Sequence, residues 1–299
     1  TALTTLEVSG WNTGNVTDMN NMFLNCTALK RIKNCPTGFD SQMLGVSEDC
    51  IILTRKPSGN GVLNIPQGTT RIDSQKYISR RDIRKVVIPN SVTVIGDSAF
   101  NGCTSITEII VPNSVTKIED YAFGGCSGLA EIKIPSSITA IGACVFGGCS
   151  SLAEITLPDS ITQIRENAFA GCTALTEIKI SNSVKEIENR VFSGCSALHK
   201  IAIPNNVSKI GQYAFLHCRS LTRITIPESV AEIGWGAFSN CTALTEITIP
   251  DSVLTIGESA FSNCPSLAEI TIPNSVEEIK FCTFADCPSL TGIAIPNSV

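Results

Sequence analysis

Apolar residues recur along most of this chain with a fixed period of 23, and their spacing changes within each period. In the copy at residues 112–134, residues 129–134 alternate apolar and polar side chains, which is typical of a strand with one buried face. Residues 114–118 are rich in β-branched side chains and predict a second short strand. A brief turn of helix or 3₁₀-helix is expected through Ala122 and Phe123. Because the same columns are apolar in nearly all copies, the pattern predicts stacked coils around one continuous core.

Each period carries a phenylalanine three residues before a cysteine. The nine cysteines of this column are Cys103, Cys126, Cys149, Cys172, Cys195, Cys218, Cys241, Cys264 and Cys287. A repeat length between 20 and 29 residues is the mark of a leucine-rich-repeat solenoid. We therefore predict a β-rich solenoid of the α/β horseshoe type with little helix. A parallel sheet is expected on its concave face, with second short strands or turns on the convex side.

Turn residues occupy two further columns. Proline follows the predicted strand in most copies, where it ends the strand and begins a turn with Asn or Asp and Ser. The residue before each cysteine is Gly in five copies and His217, Asn240, Asn263 or Asp286 in the others. These residue types are the ones most often found at positive φ, so this column predicts a left-handed turn and not a phosphate-binding loop.

The 23-residue pattern can be followed as ten repeats over residues 66–295, and 296–299 begin a truncated repeat. Residues 1–34 follow a 26-residue period, in which Leu6 recurs as Ile32. Residues 35–65 are predicted to be an irregular connector with a β-hairpin formed by 50–54 and 61–65. The chain starts without Met inside a patterned segment and stops within a repeat, which indicates a fragment.

The cysteines of the repeat are interpreted as small buried hydrophobic residues. Equivalent side chains of neighbouring coils point in parallel directions, which is poor geometry for a disulfide bond, and no His-Cys cluster suggests a metal site. Cys35 and Cys50 lie outside the column and are candidates for pairing. Cys144 and Cys282 share another column and are expected to be exposed.

Composition excludes several functions. The formal net charge of −5 gives no basic patch for nucleic acid or anionic lipid, and the apolar runs are too short for membrane insertion. With two histidines and no nucleophile elbow, phosphate loop or dinucleotide motif, we predict no enzyme activity, no catalytic or metal-binding residues and no cofactor.

The recurring pattern Leu-x-x-Ile-x-Ile-Pro-x-Ser-Val-x-x-Ile-x-x-x-Ala-Phe-x-x-Cys resembles that of the BspA-like leucine-rich-repeat proteins, also called the Treponema pallidum type. The segment from Trp11 to Phe23 resembles Trp-x-Thr-x-x-Val-Thr-x-Met-x-x-Met-Phe repeats of bacterial surface lipoproteins. The resemblance implies an extracellular or cell-surface adhesin that binds host matrix or cell-surface proteins. It supplies no functional residues to carry over.

The exposed strand positions offer a candidate binding surface. One column is mostly Glu but changes to Lys200 and Arg223 in two neighbouring repeats. With residues nearby in the chain, this predicts a partner-binding patch of His199, Lys200, Tyr213, His217, Arg219, Arg223 and Trp235. Two alternatives remain open. A carbohydrate or cell-wall binding module would use exposed aromatics, for which Tyr121, Tyr213, Trp235 and Phe281 are candidates, and a passive spacer would bind nothing.

Overall fold

The repeats form a stack of parallel coils. The computed structural model describes residues 61–299, and before them the backbone of three strands, β1 (Thr5–Glu7), β2 (Arg31–Cys35) and β3 (Ile51–Thr54). Each coil from residue 61 onward contains a three-residue strand, and most contain a second strand of two residues. The two sets of strands form two separate columns, so the predicted solenoid is confirmed.

The first strand column contains eleven strands. They are β4 (Val62–Asn64), β6 (Lys85–Val87), β8 (Glu108–Ile110), β10 (Glu131–Lys133), β12 (Glu154–Thr156), β14 (Glu177–Lys179), β16 (Lys200–Ala202), β18 (Arg223–Thr225), β20 (Glu246–Thr248), β22 (Glu269–Thr271) and β23 (Gly292–Ala294). Their central residue faces the core and the outer two face solvent in most copies, as the alternation predicted.

The second strand column contains nine strands. They are β5 (Arg71–Ile72), β7 (Val94–Ile95), β9 (Lys117–Ile118), β11 (Ala140–Ile141), β13 (Gln163–Ile164), β15 (Glu186–Ile187), β17 (Lys209–Ile210), β19 (Glu232–Ile233) and β21 (Thr255–Ile256). Every assigned pair in both columns is parallel and offset by one repeat, for example Glu131 with Glu154 and Ile187 with Ile210. The ladders are continuous in groups of two to four strands.

The segment between each second-column strand and the next first-column strand, called here the return segment, is a run of turns. The helical or 3₁₀ turn expected at Ala122 and Phe123 is therefore wrong. No helix is present within residues 61–299. Successive N–H groups alternate between partners: that of Phe123 donates to the Val145 carbonyl of the next coil at 3.1 Å, and that of Gly124 donates to the Tyr121 carbonyl at 2.9 Å. This alternation satisfies the backbone without a helix and ties neighbouring coils together.

Two columns of this segment adopt positive φ. The column before the cysteine does so at all nine positions, from Gly102 (71°) to Asp286 (57°), which confirms the predicted left-handed turn. A second column, missed from the sequence, has left-handed residues at Gln75, Ser98, Tyr121, Cys144, Asn167, Arg190, Tyr213, Gly236, Ser259 and Cys282. The left-handed conformation costs roughly 1–2 kcal/mol for a residue with a side chain. A hydrogen bond to the next coil offsets it, as from the N–H of Tyr213 to the Trp235 carbonyl at 2.8 Å.

The core is built around a continuous stack of aromatic rings. From Tyr77 to Phe284, each ring lies 5.2–5.9 Å from the next, with interplanar angles of 1–17°. Tyr77 stands in the coil where Arg80 replaces the cysteine, and its 4% exposure shows that this coil belongs to the same core.

The prolines and serines after each first-column strand tie one coil to the previous one. The Val115 N–H donates to the Pro112 carbonyl at 3.0 Å, which confirms the predicted turn. The serine of the same turn commonly donates its hydroxyl to a carbonyl 22 residues earlier, as Ser252 does to Val230 at 2.8 Å. The Pro-x-Ser-Val motif therefore encodes contact between coils as well as a turn.

The strands β1 to β4 each have a parallel partner, and these pairings bear on the hairpin expected from residues 50–54 and 61–65. β1 pairs with β2 in parallel, with Leu6 opposite Ile32. β3 pairs in parallel with β2, and β4 pairs in parallel with β6. The two strands expected to form a hairpin therefore each pair elsewhere, and β4 already belongs to the solenoid although it lies before residue 66. The possible Cys35–Cys50 bridge falls outside the described side chains.

Candidate ligand-binding surface

The first residues of the first-column strands form an exposed row of charges. Four consecutive copies carry Glu, followed by Lys200 and Arg223 and then by Glu again. The four-Glu run is bounded by cations: Lys85 Nζ lies 2.6 Å from the Glu108 carboxylate, and Lys200 Nζ lies 4.0 Å from that of Glu177. Neighbouring copies are in register, so like charges lie directly opposite each other within the run.

Lys200 lies beside Glu177 of the preceding coil, and Arg223 lies beside Glu246 of the following coil. Arg223 Nε lies 3.5 Å from Glu246, and the side chains of Lys200 and Arg223 are each 78% exposed. Exposed ion pairs at such distances contribute little stability. The two adjacent cations are therefore not required to hold the coils together, and their charge remains available to a ligand.

The remaining residues of the predicted patch lie in different parts of the coil. His199 is exposed directly before β16, and its Nδ1 lies 3.4 Å from the Ala197 carbonyl. His217 occupies the left-handed turn before Cys218, with its Nδ1 buried and unpaired. Arg219 is exposed one residue after that cysteine. Tyr213 and Trp235 instead follow β17 and β19, so they adjoin the second strand column.

Tyr213 and Trp235 contact each other. Their ring centroids are 5.4 Å apart at an interplanar angle of 42°, and the Arg190 guanidinium lies 5.0 Å from the Tyr213 centroid. Gly236 completes this cluster, because a Cβ added there would lie 2.6 Å from Tyr213 Cε1. Sequence reasoning missed Arg190 and Gly236. The available signal was that Gly236 is the only glycine in its column.

Shallow depressions also lie over the first strand column. One of about 530 Å³ is lined by Glu108, Ile110, Glu131, Lys133 and Glu154 among others, and one of about 630 Å³ reaches Glu177, Lys179 and His199. Ile110 is 60% exposed at the edge of the first depression. The sheet surface thus offers a broad contact area with no deep pocket among the described residues.

The cysteine column has a structural role. The eight thiols from Cys103 to Cys264 are fully buried, and each donates to the carbonyl of the aromatic residue 26 positions earlier, as Cys126 Sγ does to Phe100 at 3.2 Å. Burial raises the pKa of Cys103 to about 11 and that of Cys149 to about 12. Such thiols are protonated donors at neutral pH and unsuited to nucleophilic or metal chemistry. All cysteines of residues 61–299 are free.

Residues 61–299 contain no group of three or more His, Cys, Asp or Glu side chains arranged to hold a metal ion. In the same region no helix has the length and apolar character needed to cross a membrane.

Comparisons with known proteins agree with this architecture. The model of the BspA type leucine-rich repeat region matches residues 70–199 and 191–299 with six copies. A leucine-rich repeat protein from Bacteroides ovatus ATCC 8483 is 24% identical over 98% of this chain and 81% of its own, with a TM-score of 0.57. The T. pallidum leucine-rich repeat protein is 30% identical over 54% and 78%, with a TM-score of 0.51. A leucine-rich repeat protein from Eubacterium ventriosum ATCC 27560 is 25% identical over 79% and 73%, with a TM-score of 0.55.

No curated protein matches the chain significantly. The match to the family model spans well over half of the sequence and coincides with the repeats that form the stack. The chain therefore belongs to the BspA-type leucine-rich repeat family.

Proposed function

We propose that this chain is a non-enzymatic binding region of a cell-surface protein that holds a protein partner, such as a host matrix or cell-surface protein, on the exposed face of the first strand column. Membership of a leucine-rich-repeat family supports a binding or scaffold role. The observation that carries the proposal is the adjacent pair of exposed cations, Lys200 and Arg223, between Glu residues on either side in the same row.

An open sheet suits a large protein ligand because each coil contributes exposed side chains at a fixed position. Lys200 and Arg223 interrupt the acidic row in two neighbouring coils, and His199 extends the same exposed segment. Complementary charge at such a surface speeds association and selects the partner. An acidic patch on the partner would be attracted to Lys200 and Arg223 and repelled by the Glu residues on either side of them in the same row. Arg219 and His217 are proposed as the outer contacts of this surface, whereas Tyr213 and Trp235 adjoin the second strand column and are not part of it.

Charge reversal tests this proposal. Lys200→Glu with Arg223→Glu should weaken binding to a panel of immobilised extracellular-matrix proteins at least about tenfold, which corresponds to about 1.4 kcal/mol. Lys133→Glu with Lys179→Glu is the matched control, since it makes the same change of charge on the same sheet face. Equal affinity of the first variant and the unmodified chain would contradict the patch, and failure of the unmodified chain to bind any protein would favour a spacer.

A further inference from the structure

Four exposed side chains on successive coils form a row beside the second strand column. The row consists of Gln212, Trp235, Glu258 and Phe281, spaced 23 residues apart. It alternates a hydrogen-bonding group with an aromatic ring. Trp235 is 47% exposed between two complete coils, and Phe281 is 78% exposed in the last coil, which only residues 296–299 follow. An exposed line of this composition is a candidate interaction surface, because it offers both apolar ring faces and hydrogen-bonding groups.

Backbone hydrogen bonds fix the spacing of the row. The carbonyl of each member accepts an N–H from the left-handed residue of the preceding coil: Tyr213 donates to Trp235 at 2.8 Å, and Ser259 donates to Phe281 at 3.0 Å. The backbones of neighbouring members are therefore about one strand spacing, 4.8 Å, apart, and those of Trp235 and Phe281 are about 10 Å apart with Glu258 on the coil between them.

The coils are also closely packed at this point. Gly234 directly precedes Trp235, and a Cβ added there would lie 2.7 Å from the Gln212 backbone nitrogen. Glycine thus permits an approach that any side chain would prevent. The Trp235 ring contacts Tyr213 of the same preceding coil, whose ring lies against Gly236 and within 5.0 Å of the Arg190 guanidinium. Contact with Tyr213 thus supports one side of the Trp235 ring and leaves the rest of it exposed.

We propose that this row binds a neutral polysaccharide of hexopyranose units, with the sugar chain running along the stack of coils. A pyranose ring has apolar C–H faces and a rim of hydroxyl groups, so its faces complement Trp and Phe and its hydroxyls complement Gln and Glu. One sugar unit is about as long as one strand spacing, so rings two coils apart would hold alternate sugars while Glu258 accepts hydroxyl hydrogen bonds from the sugar between them.

Charge selects against acidic glycans. Glu258 is exposed in the middle of the row, and the chain carries a formal net charge of −5. A carboxylated or sulfated sugar would place like charges next to each other. The site adjoins the second strand column, whereas Lys200 and Arg223 begin strands of the first, so this inference goes beyond the proposed protein-binding function and does not depend on it.

Isothermal titration with neutral hexasaccharides of glucose, mannose and galactose, and with hexagalacturonate, tests the site. We expect at least one neutral hexasaccharide to bind and hexagalacturonate not to bind. For the neutral sugar that binds, affinity should rise with length from the disaccharide to the tetrasaccharide and then level off, because the column continues before Gln212 with exposed residues such as Asn189 and Glu166 but with no aromatic ring. Trp235→Ala should weaken binding at least tenfold and Phe281→Ala several-fold. Tyr121→Ala is the matched control, because Tyr121 is a 45% exposed aromatic in the same column as Tyr213 but four coils away.

Circular dichroism of each variant establishes that the solenoid remains folded, and Phe281→Ala provides a second test since that side chain has little packing to lose. Absence of binding by all neutral hexasaccharides at millimolar concentration overturns the inference, as does equal binding by the Trp235→Ala variant. Equal affinity for hexagalacturonate contradicts the selection for neutral sugars. The Lys200 and Arg223 variants should bind the glycan normally, so a failure here is distinguishable from a failure of the protein-binding proposal.

Discussion

Truncating a ring in the middle of the aromatic stack should destabilise the solenoid far more than truncating one near its end. Phe192 has no exposed surface and is stacked between Phe169 at 5.7 Å and Phe215 at 5.5 Å. Phenylalanine to alanine changes in a core cost about 3–5 kcal/mol, of which each aromatic contact contributes about 0.5–1.5 kcal/mol. Phe284 is only partly buried and has a single ring contact, with Phe261 at 5.7 Å. We expect Phe284→Ala to cost less than half as much as Phe192→Ala.

Native-state hydrogen exchange is the suitable assay, because long repeat arrays need not unfold in one step. The Phe192 amide donates to the Ala214 carbonyl at 2.9 Å and reports on contact between adjacent coils. In Phe192→Ala, amides of the adjoining coils should lose roughly two to four orders of magnitude of protection, since about 1.4 kcal/mol is a factor of ten. Phe192→Leu retains most of the volume and should lose less. Equal losses for Phe192→Ala and Phe284→Ala would refute the reasoning that each coil is stabilised by its two neighbours.

Three further predictions concern the contacts between coils. Ser252→Ala should lower the free energy of unfolding by about 1 kcal/mol, because it removes the hydroxyl that donates to the Val230 carbonyl. Ser114→Ala should be neutral or stabilising, since the Ser114 hydroxyl is buried without a hydrogen-bond partner. Denaturant titration compares the two variants. Gly236→Ala should be more destabilising in the same assay than Gly68→Ala, because both have positive φ but only at Gly236 would the new Cβ meet the Tyr213 ring. Among the described cysteines, a thiol reagent at pH 7 should modify the partly exposed Cys144, Cys282 and Cys287 and spare the eight buried ones, as mass spectrometry of the labelled protein can show. Cys287 should react first because contact with the Cys264 thiol lowers the pKa of Cys287, which favours the reactive thiolate. Labelling of Cys172 at a similar rate would contradict the burial of the cysteine column.

The predicted patch shows where sequence reasoning loses information. It grouped Tyr213 and Trp235 with Lys200 because they are close along the chain, yet the strand columns place Lys200 in one sheet and the two rings beside the other. The contact between Tyr213 and Trp235 joins residues 22 positions apart, and Arg190 reaches Tyr213 from one coil earlier. In a solenoid, proximity follows the position within the repeat, so residues one period apart are closer than residues a few positions apart.

The sequence by itself determined the period, the strand that ends each repeat and the left-handed turn before each cysteine. These features depend on local chemistry: alternation of apolar side chains, the fixed φ of proline and the tolerance of Gly, Asn and Asp for positive φ. Repetition then specifies the parallel register, because matching side chains can be buried only when equal coils stack.

Only the tertiary structure decided what the return segment does. Its backbone N–H groups bond alternately within the coil and to the next coil, and this stabilises left-handed residues as different as Ser98, Tyr121 and Arg190. Residues so different leave no pattern in the sequence, since the hydrogen bonds of the neighbouring coil, and not the side chain, impose the conformation. For the same reason the line from Gln212 to Phe281 becomes visible only after the coils are stacked.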